Sequence, residues 1–311
     1  MAGAFALGFK QCRKIGGSQI RSLLRAKDVF LFDCDGVLWN GEAAVTGAPK
    51  VLRTLLKHGK HVFFVTNNCT KLRENYAKKF SRLGFTGVRP EQIFSSSYCS
   101  ALYLRDVARV QGQVFVIGGE GVRNELRQAG IPVVGDEDEA PDATIFHCGL
   151  ASDVRAVLVG HDDKFTFLKL AKASCYLRNP ECLFLATDAD PWHPLPGERI
   201  LPGSGCLSAA LEVASGRKAM VIGKPSPFMF ECISSQFSVD PAQCLMVGDR
   251  LETDMLFGSN CGLDTMLTLT GISHMKTAQE YKDCDHPANH SFVPDYVVDT
   301  IADFLPAFEE D

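Results

Sequence analysis

Four short polar clusters interrupt the apolar stretches of this 311-residue sequence, and their residue types suit chemistry on an anion. Asp33-Cys34-Asp35-Gly36 offers two carboxyls, and Thr66-Asn67-Asn68 a hydroxyl and two amides. Gly223-Lys224-Pro225 adds an ammonium, and Gly248-Asp249 with Asp254 adds two more carboxyls. Carboxylates hold hard cations and move protons, whereas lysine and amide donors stabilise negative charge. Taken singly, each cluster has an ordinary explanation. Asp-x-Asp-Gly opens calcium loops, Thr-Asn-Asn caps helices or turns, Gly-Lys-Pro is a common turn and Gly-Asp a common strand exit. A calcium loop needs further oxygen ligands at set spacing, and here the apolar Val37-Leu38-Trp39 follows instead.

The position of the clusters decides between these readings. The apolar run 28–33 predicts a buried strand ending at Asp33, and 60–66 predicts a second one. Periodic stretches at 48–58 and 71–83 predict helices, stopped by Gly59 and Gly84. The alternation returns late in the chain, with strands at 218–222, 244–248 and 264–269 and helices at 227–236 and 253–260. Such alternation predicts a parallel α/β sheet. All four clusters fall at carboxyl ends of its strands, where open parallel sheets bind ligands. Their order and placement favour one catalytic set over four unrelated turns.

More than one hundred residues separate the two halves, with strands of their own at 114–117, 156–160 and 183–186. The economical organisation is a discontinuous core, 20–109 and 219–305, interrupted by an inserted domain at 110–218. Within the insertion, the acidic stretch Gly135–Pro141 reads as a surface loop. Residues 1–19 form a leader, with a short amphipathic helix around Gln19–Leu24. Its basic residues follow the apolar start, the wrong order for a secretory signal. The first 27 residues contain no acid, which a mitochondrial presequence would share, but a plain leader is the preferred reading. No apolar run approaches the roughly 20 residues that span a bilayer.

Hydrophobic residues make up 46% and charged residues 22%, as in a soluble globular protein. The net charge of −5 argues against a nucleic-acid partner, and obliges any phosphate site to make its own positive field. Twelve cysteines are scattered with no Cys-x-x-Cys, several of them inside apolar runs (Cys34, Cys244, Cys261). They read as buried reduced thiols of a cytoplasmic chain, not as disulfides or a zinc site.

The segments FDCDGVLWNGE, GKPSPFMFECI and MVGDRLETD, in this order, resemble the motifs of the haloacid dehalogenase superfamily. The insertion, with ATDADPWHPL, resembles the C2-type cap of that superfamily. The resemblance covers nearly all of the chain beyond about residue 20. It implies a Rossmann-like parallel-sheet core with an inserted α/β cap, and Mg2+-dependent hydrolysis of a phosphomonoester. It further implies that Asp33 attacks phosphorus and becomes an aspartyl phosphate, and that Asp35 serves as general acid and then base. Magnesium would be held by the carboxylates of Asp33 and Asp249 and the backbone carbonyl of Asp35. Asp254 would support the metal site or orient Lys224; a carboxylate merely favouring a helix N-terminus is the plain alternative. Lys224 would neutralise the transferring phosphoryl, and Thr66, Asn67 and Asn68 would donate hydrogen bonds to it.

The leaving group must be read from the insertion. In Asp190-Pro191-Trp192-His193-Pro194 two prolines stiffen a loop, and a histidine ring beside a proline ring suits a flat pyridine. From the residues alone, Trp192 is packing and His193 a surface residue. The resemblance makes His193 a substrate contact, with pyridoxal 5′-phosphate as substrate and phosphoglycolate as the alternative. Phosphoserine of an actin-regulating protein is a further possible substrate by the same resemblance. It also leads one to expect a tyrosine after Val-Leu-Val-Gly, where this chain has His161. A catalytically silent phosphate-binding protein is the alternative from another class, and the intact Asp33, Asp35, Lys224 and Asp249 count against it. Gly203-Ser-Gly205 reads as a tight turn before a helix over 206–214, with a small-residue face at Ala209, Ala210 and Ala214. The resemblance implies a homodimer through this region. No integral membrane segment is expected.

Overall fold

The computed structural model describes residues 10, 12–135, 144–146, 149–195, 197 and 199–308. They pack into two compact units. The first comprises Met1–Val65, Lys79–Gln92 and Gln236–Asp311, and the second Thr66–Lys78 and Ile93–Ser235. This division by packing draws its line at other residues than the 110–218 insertion read from the sequence.

The first unit is built on parallel strands in the order Arg13–Lys14, Tyr296–Val298, Asp264–Thr268, Cys244–Gly248, Val29–Phe32, His61–Thr66. Val29–Phe32 and Cys244–Gly248 are buried at every residue, which is why they read as unbroken apolar runs and do not alternate. Val29–Phe32 has a later strand on each side, so the chain departs from it in both lateral directions. That is a topological switch point, the place where such sheets leave a crevice. Val247 pairs with Phe32, and the Asp33 N–H donates to the Val247 carbonyl at 2.9 Å. Asp33 and Asp249 therefore issue from adjacent strand ends.

Helices cover this sheet through apolar stripes. Gly17–Ala26 buries Ile20, Leu23 and Leu24, and Ala48–Lys57 buries Ala48, Val51, Leu52 and Leu55. The helix expected over 253–260 is resolved into a wide π-type turn, Leu251–Met255, and a regular helix, Leu256–Cys261. The Arg250 carbonyl accepts from both Asp254 and Met255. The extra residue in that turn re-aims Asp254, a distortion common at functional sites.

In the second unit, parallel strands run Met220–Val221, Leu183–Ala186, Val154–Val159, Gln113–Ile117, Val133–Val134. The run at 218–222, read with the late core strands, instead pairs with Leu185 and Ala186. Two partly exposed residues carry no pattern that tells one sheet from another. Phe115, Ile117, Val157, Phe184, Ala173 and Leu211 form part of its core. The stretch Trp192–Leu195, expected as a loop, is a strand paired antiparallel with Arg199–Pro202. Prolines are tolerated there because a two-stranded ribbon has only edges. Gly203 and Gly205 precede and open the helix Ser204–Ser215, and a Cβ on either would strike the Ala189–Asp190 backbone. Residues 136–141 of the acidic stretch lie outside the described residues. Among the described residues no disulfide joins the cysteines, and no helix is long and apolar enough to cross a membrane.

Arg123, 4% exposed in the helix Glu120–Gln128, holds this unit together at one point. Its Nε donates to the Gly118 carbonyl at 3.1 Å, and its Nη2 to those of Val116 and Gly135 at 3.0 and 2.8 Å. Arg123→Met keeps the aliphatic bulk but strands those carbonyls. Urea unfolding should show a loss of about 2–4 kcal/mol; a loss within about 0.5 kcal/mol would mean that water replaces the guanidinium at no cost.

Candidate active site

Carboxylate oxygens of Asp33, Asp249 and Asp254 all lie within 4.8 Å of one another, and all three residues are buried. Each has a different local cause. Asp33 ends the Val29–Phe32 strand, Asp249 follows the Cys244–Gly248 strand, and Asp254 sits in the π-type turn. Oδ2 of Asp254 accepts from the backbone N–H groups of Asp249 and Arg250 at 3.1 and 3.0 Å. Asp254 therefore fixes the backbone that carries Asp249. The loop after the Asp264–Thr268 strand completes the cradle. Ile272 N donates to Asp249 Oδ2 at 2.8 Å, and Ser273 N to the Asp249 carbonyl at 2.9 Å. A Cβ at Gly36 or Gly271 would collide with the Asp249 carboxylate. Gly36 also has φ +88°, where other residues are strained.

An all-oxygen, all-carboxylate donor set suits a hard divalent cation and is foreign to soft metals. Three buried acids this close repel one another, and a bound cation is the natural compensation. The residues present thus fit a metal centre.

Asp35 stands apart from this cluster. Its Oδ1 accepts from the Trp39 indole N–H at 2.9 Å. Trp39 is fully buried and stacks edge-on against Phe80 and Phe85, with ring centroids 4.8 and 6.1 Å away. A buried indole needs an acceptor, and here the acceptor is Asp35. Sequence reasoning used Trp39 only to argue against a calcium loop; the need of its N–H for a partner was the available signal.

In the second unit, Asn67 and Lys224 are tied to each other. Lys224 N donates to Asn67 Oδ1 at 2.8 Å, and Asn67 Nδ2 donates to the Lys224 carbonyl at 3.0 Å and to Asp190 Oδ1 at 3.4 Å. Both amide hydrogens of Asn67 thus have protein acceptors. Its side chain is a brace for Lys224, a residue only 2% exposed. Asn68 Oδ1 accepts from Thr70 N and Oγ1 at 3.1 and 2.7 Å, which fixes which end of that amide donates. Thr66 Oγ1 accepts from Asn68 N at 3.1 Å, so the three residues form one locked turn.

A cavity of about 230 Å³ in the same unit is lined by Asn67, Asn68, His161, Asp188, His193 and Ser204, among others. The rings of His161 and His193 meet edge to face, 6.3 Å between centroids. His161 Nε2 lies 2.9 Å from Asp163 Oδ1. Burial, then the charge of Asp190, pushes the Asp188 carboxyl up to about 7.

Comparison with known proteins agrees with these features. A model of haloacid dehalogenase-like hydrolases matches residues 30–132, and a second, HAD-hydrolase-like, matches 221–304. Chronophin from Bos taurus is 51% identical over 304 residues, covering 96% of this chain and 99% of that protein. Glycerol-3-phosphate phosphatase from Gallus gallus is 45% identical over 310 residues, 98% of this chain and 99% of that one. The crystal structure of glycerol phosphate phosphatase Rv1692 from Mycobacterium tuberculosis in complex with magnesium superposes with a TM-score of 0.74. That structure is 26% identical and covers 91% of this chain and 78% of its own. With half of its residues shared over nearly its whole length, the chain belongs to the haloacid dehalogenase-like hydrolases.

Proposed function

We propose that the protein is a magnesium-dependent phosphomonoester hydrolase that works through an aspartyl phosphate on Asp33, with pyridoxal 5′-phosphate as substrate. The observation that carries this reading is the buried Asp33–Asp249–Asp254 cluster at the switch point of a parallel sheet. The similarity to chronophin, a pyridoxal phosphatase, supports the choice of substrate.

Asp33 attacks phosphorus, forming a carboxyl O–P bond as the ester P–O bond breaks. Asp35, held by Trp39, gives its proton to the departing alkoxide. It then takes one from the water that attacks the acyl phosphate, releasing inorganic phosphate and restoring Asp33. Lys224, braced by Asn67, neutralises the equatorial oxygens, while Thr66 and Asn68 donate hydrogen bonds to them. Asp33, Asp249 and the Asp35 carbonyl would hold magnesium, which when bound would supply Lewis-acid neutralisation of the phosphoryl charge. Asp254 keeps Asp249 in place.

Asn67 and Asn68 share the 230 Å³ cavity with the two histidine rings, which suits a small flat leaving group. The catalytic core in this reading is 20–109 with 219–305, and 110–218 is the cap that sets specificity. The enzyme is placed in the cytoplasm, as a homodimer through the helix Ser204–Ser215. The exposed Ala209 and the 86% exposed Val213 of that helix support this contact.

Asp33→Asn should fold normally yet retain less than about a hundredth of the activity, because a neutral amide cannot attack phosphorus. A chelator should abolish turnover and magnesium restore it. Calcium favours seven or eight oxygens and should bind without sustaining turnover. Full activity with calcium alone would contradict this site.

His193→Ala should raise KM for pyridoxal phosphate by an amount equivalent to about 0.5–1.5 kcal/mol of ring contact. Phosphoglycolate has no ring and should be affected much less. Kinetics on both substrates, with a phosphoserine peptide alongside, checks the contrast. Equal losses in a stable variant would make His193 a packing residue, and no change on either would favour phosphoglycolate as the substrate.

A further inference from the structure

The proposed chemistry makes no use of two of the most deeply buried acids in the molecule. Asp188 and Asp190 are 1% and 7% exposed, on the turn that follows the Leu183–Ala186 strand. Asp188 Oδ2 accepts from Thr187 Oγ1 at 2.8 Å, and its Oδ1 from Asp190 N at 3.2 Å. The turn cannot relax. Gly223 N donates to the Thr187 carbonyl at 2.8 Å from one side, and Gly203 and Gly205 press on the Ala189–Asp190 backbone from the other. Asp190 then reaches Asn67, and Asn67 holds Lys224 by both ends of its amide. A continuous chain of contacts therefore runs from Asp188 through Asp190 and Asn67 to Lys224.

Two carboxylates in such a setting do not both ionise readily. Four other titratable or charged groups belong to the same surroundings. Cys69, from the loop after His61–Thr66, has its thiol pushed up to about 12 by burial. The His161 and His193 rings line the cavity with Asp188, and Lys224 follows the Met220–Val221 strand.

We propose that Asp188 and Asp190 act as a positioning pair, in which Asp188 holds the Asp190 backbone and the Asp190 carboxyl fixes the Asn67 amide and, through it, Lys224. The proposal rests on Lys224 facing the phosphoryl group in the reading above. Loss of the Asp188 proton would add a second negative charge beside a cavity that receives an anion. KM should therefore rise as the pH passes about 7.

The test compares wild type, Asp188→Asn, Asp190→Ala and Asp190→Asn as magnesium-loaded full-length enzymes. Readouts are kcat and KM for pyridoxal phosphate from about pH 5 to 9, and melting temperature over the range from about pH 3 to 9. Asp190→Ala should lower kcat at least tenfold, and Asp190→Asn, which keeps an acceptor for Asn67, should recover most of it. In Asp188→Asn the rise of KM above neutral pH should vanish. Melting reads Asp188 without any activity. The folded state keeps a proton that the unfolded chain sheds from about 3.8 upward, so the contribution of Asp188 to wild-type stability should fall until about pH 7 and then level off. Asp188→Asn should lack that fall. Undiminished kcat in Asp190→Ala, or the same KM profile in Asp188→Asn as in wild type, would overturn the proposal. A wild type without phosphatase activity would instead overturn the proposed function, while the melting curves still judge Asp188.

Discussion

Three carboxylates confined within 4.8 Å of one another and largely shielded from water repel strongly, and the first unit is arranged around that repulsion. Asp254 disperses its charge into the N–H groups of Asp249 and Arg250. Asp249 receives the Ile272 N–H, and the glycines at 36 and 271 give its carboxylate room. Asp33 is set by the sheet itself, through the register that pairs Val247 with Phe32. The loops after three neighbouring strands thus converge on a site where a cation is the stabilising counterpart. A substitution that moved any of these loops would alter the electrostatics before it altered the chemistry.

The second unit shows the opposite sign of the same economy. The backbone of the buried Lys224 is fixed by Asn67, whose amide oxygen accepts from its N–H and whose amide nitrogen donates to its carbonyl. Both hydrogens of the Asn67 amide point to protein acceptors, the Lys224 carbonyl and Asp190 Oδ1. Its contribution passes through Lys224, and beyond it lie Asp190 and Asp188, whose burial raises the carboxyl of the latter. Asn67 both lines the cavity and holds Lys224, so a substitution at Asn67 should disturb substrate fit and charge neutralisation together.

Much of the fold was legible because buried parallel strands leave a plain mark. Cys244–Gly248 and Leu183–Ala186 match the apolar runs that announced them, and the helix expected near Gln19–Leu24 is present as Gly17–Ala26. Proximity of Asp33, Asp249 and Asp254 was legible too, since strand ends in a parallel sheet converge whatever separates them in sequence. Tertiary partners were not. The two prolines around His193 advertise a loop, but pairing with Arg199–Pro202 makes a strand, and only the fold supplies that partner. Met220–Val221 is too short to declare its sheet. The role of Trp39 hid inside an apolar triplet, because its hydrogen bond returns to a residue four positions back. Asp188 gave no signal at all, for its altered acidity is produced by burial.

In the proposed reaction, hydrolysis passes through a phosphorylated carboxylate and not by direct attack of water. Stereochemistry at phosphorus tests this most directly. A phosphorothioate monoester made chiral with two isotopes of oxygen would be hydrolysed by the magnesium-loaded enzyme in water of the third isotope, and the released chiral thiophosphate analysed for configuration. Each in-line displacement inverts phosphorus, so transfer to Asp33 followed by transfer to water should give net retention. Net inversion would mean a single displacement by water, and would contradict the assignment of Asp33 as nucleophile.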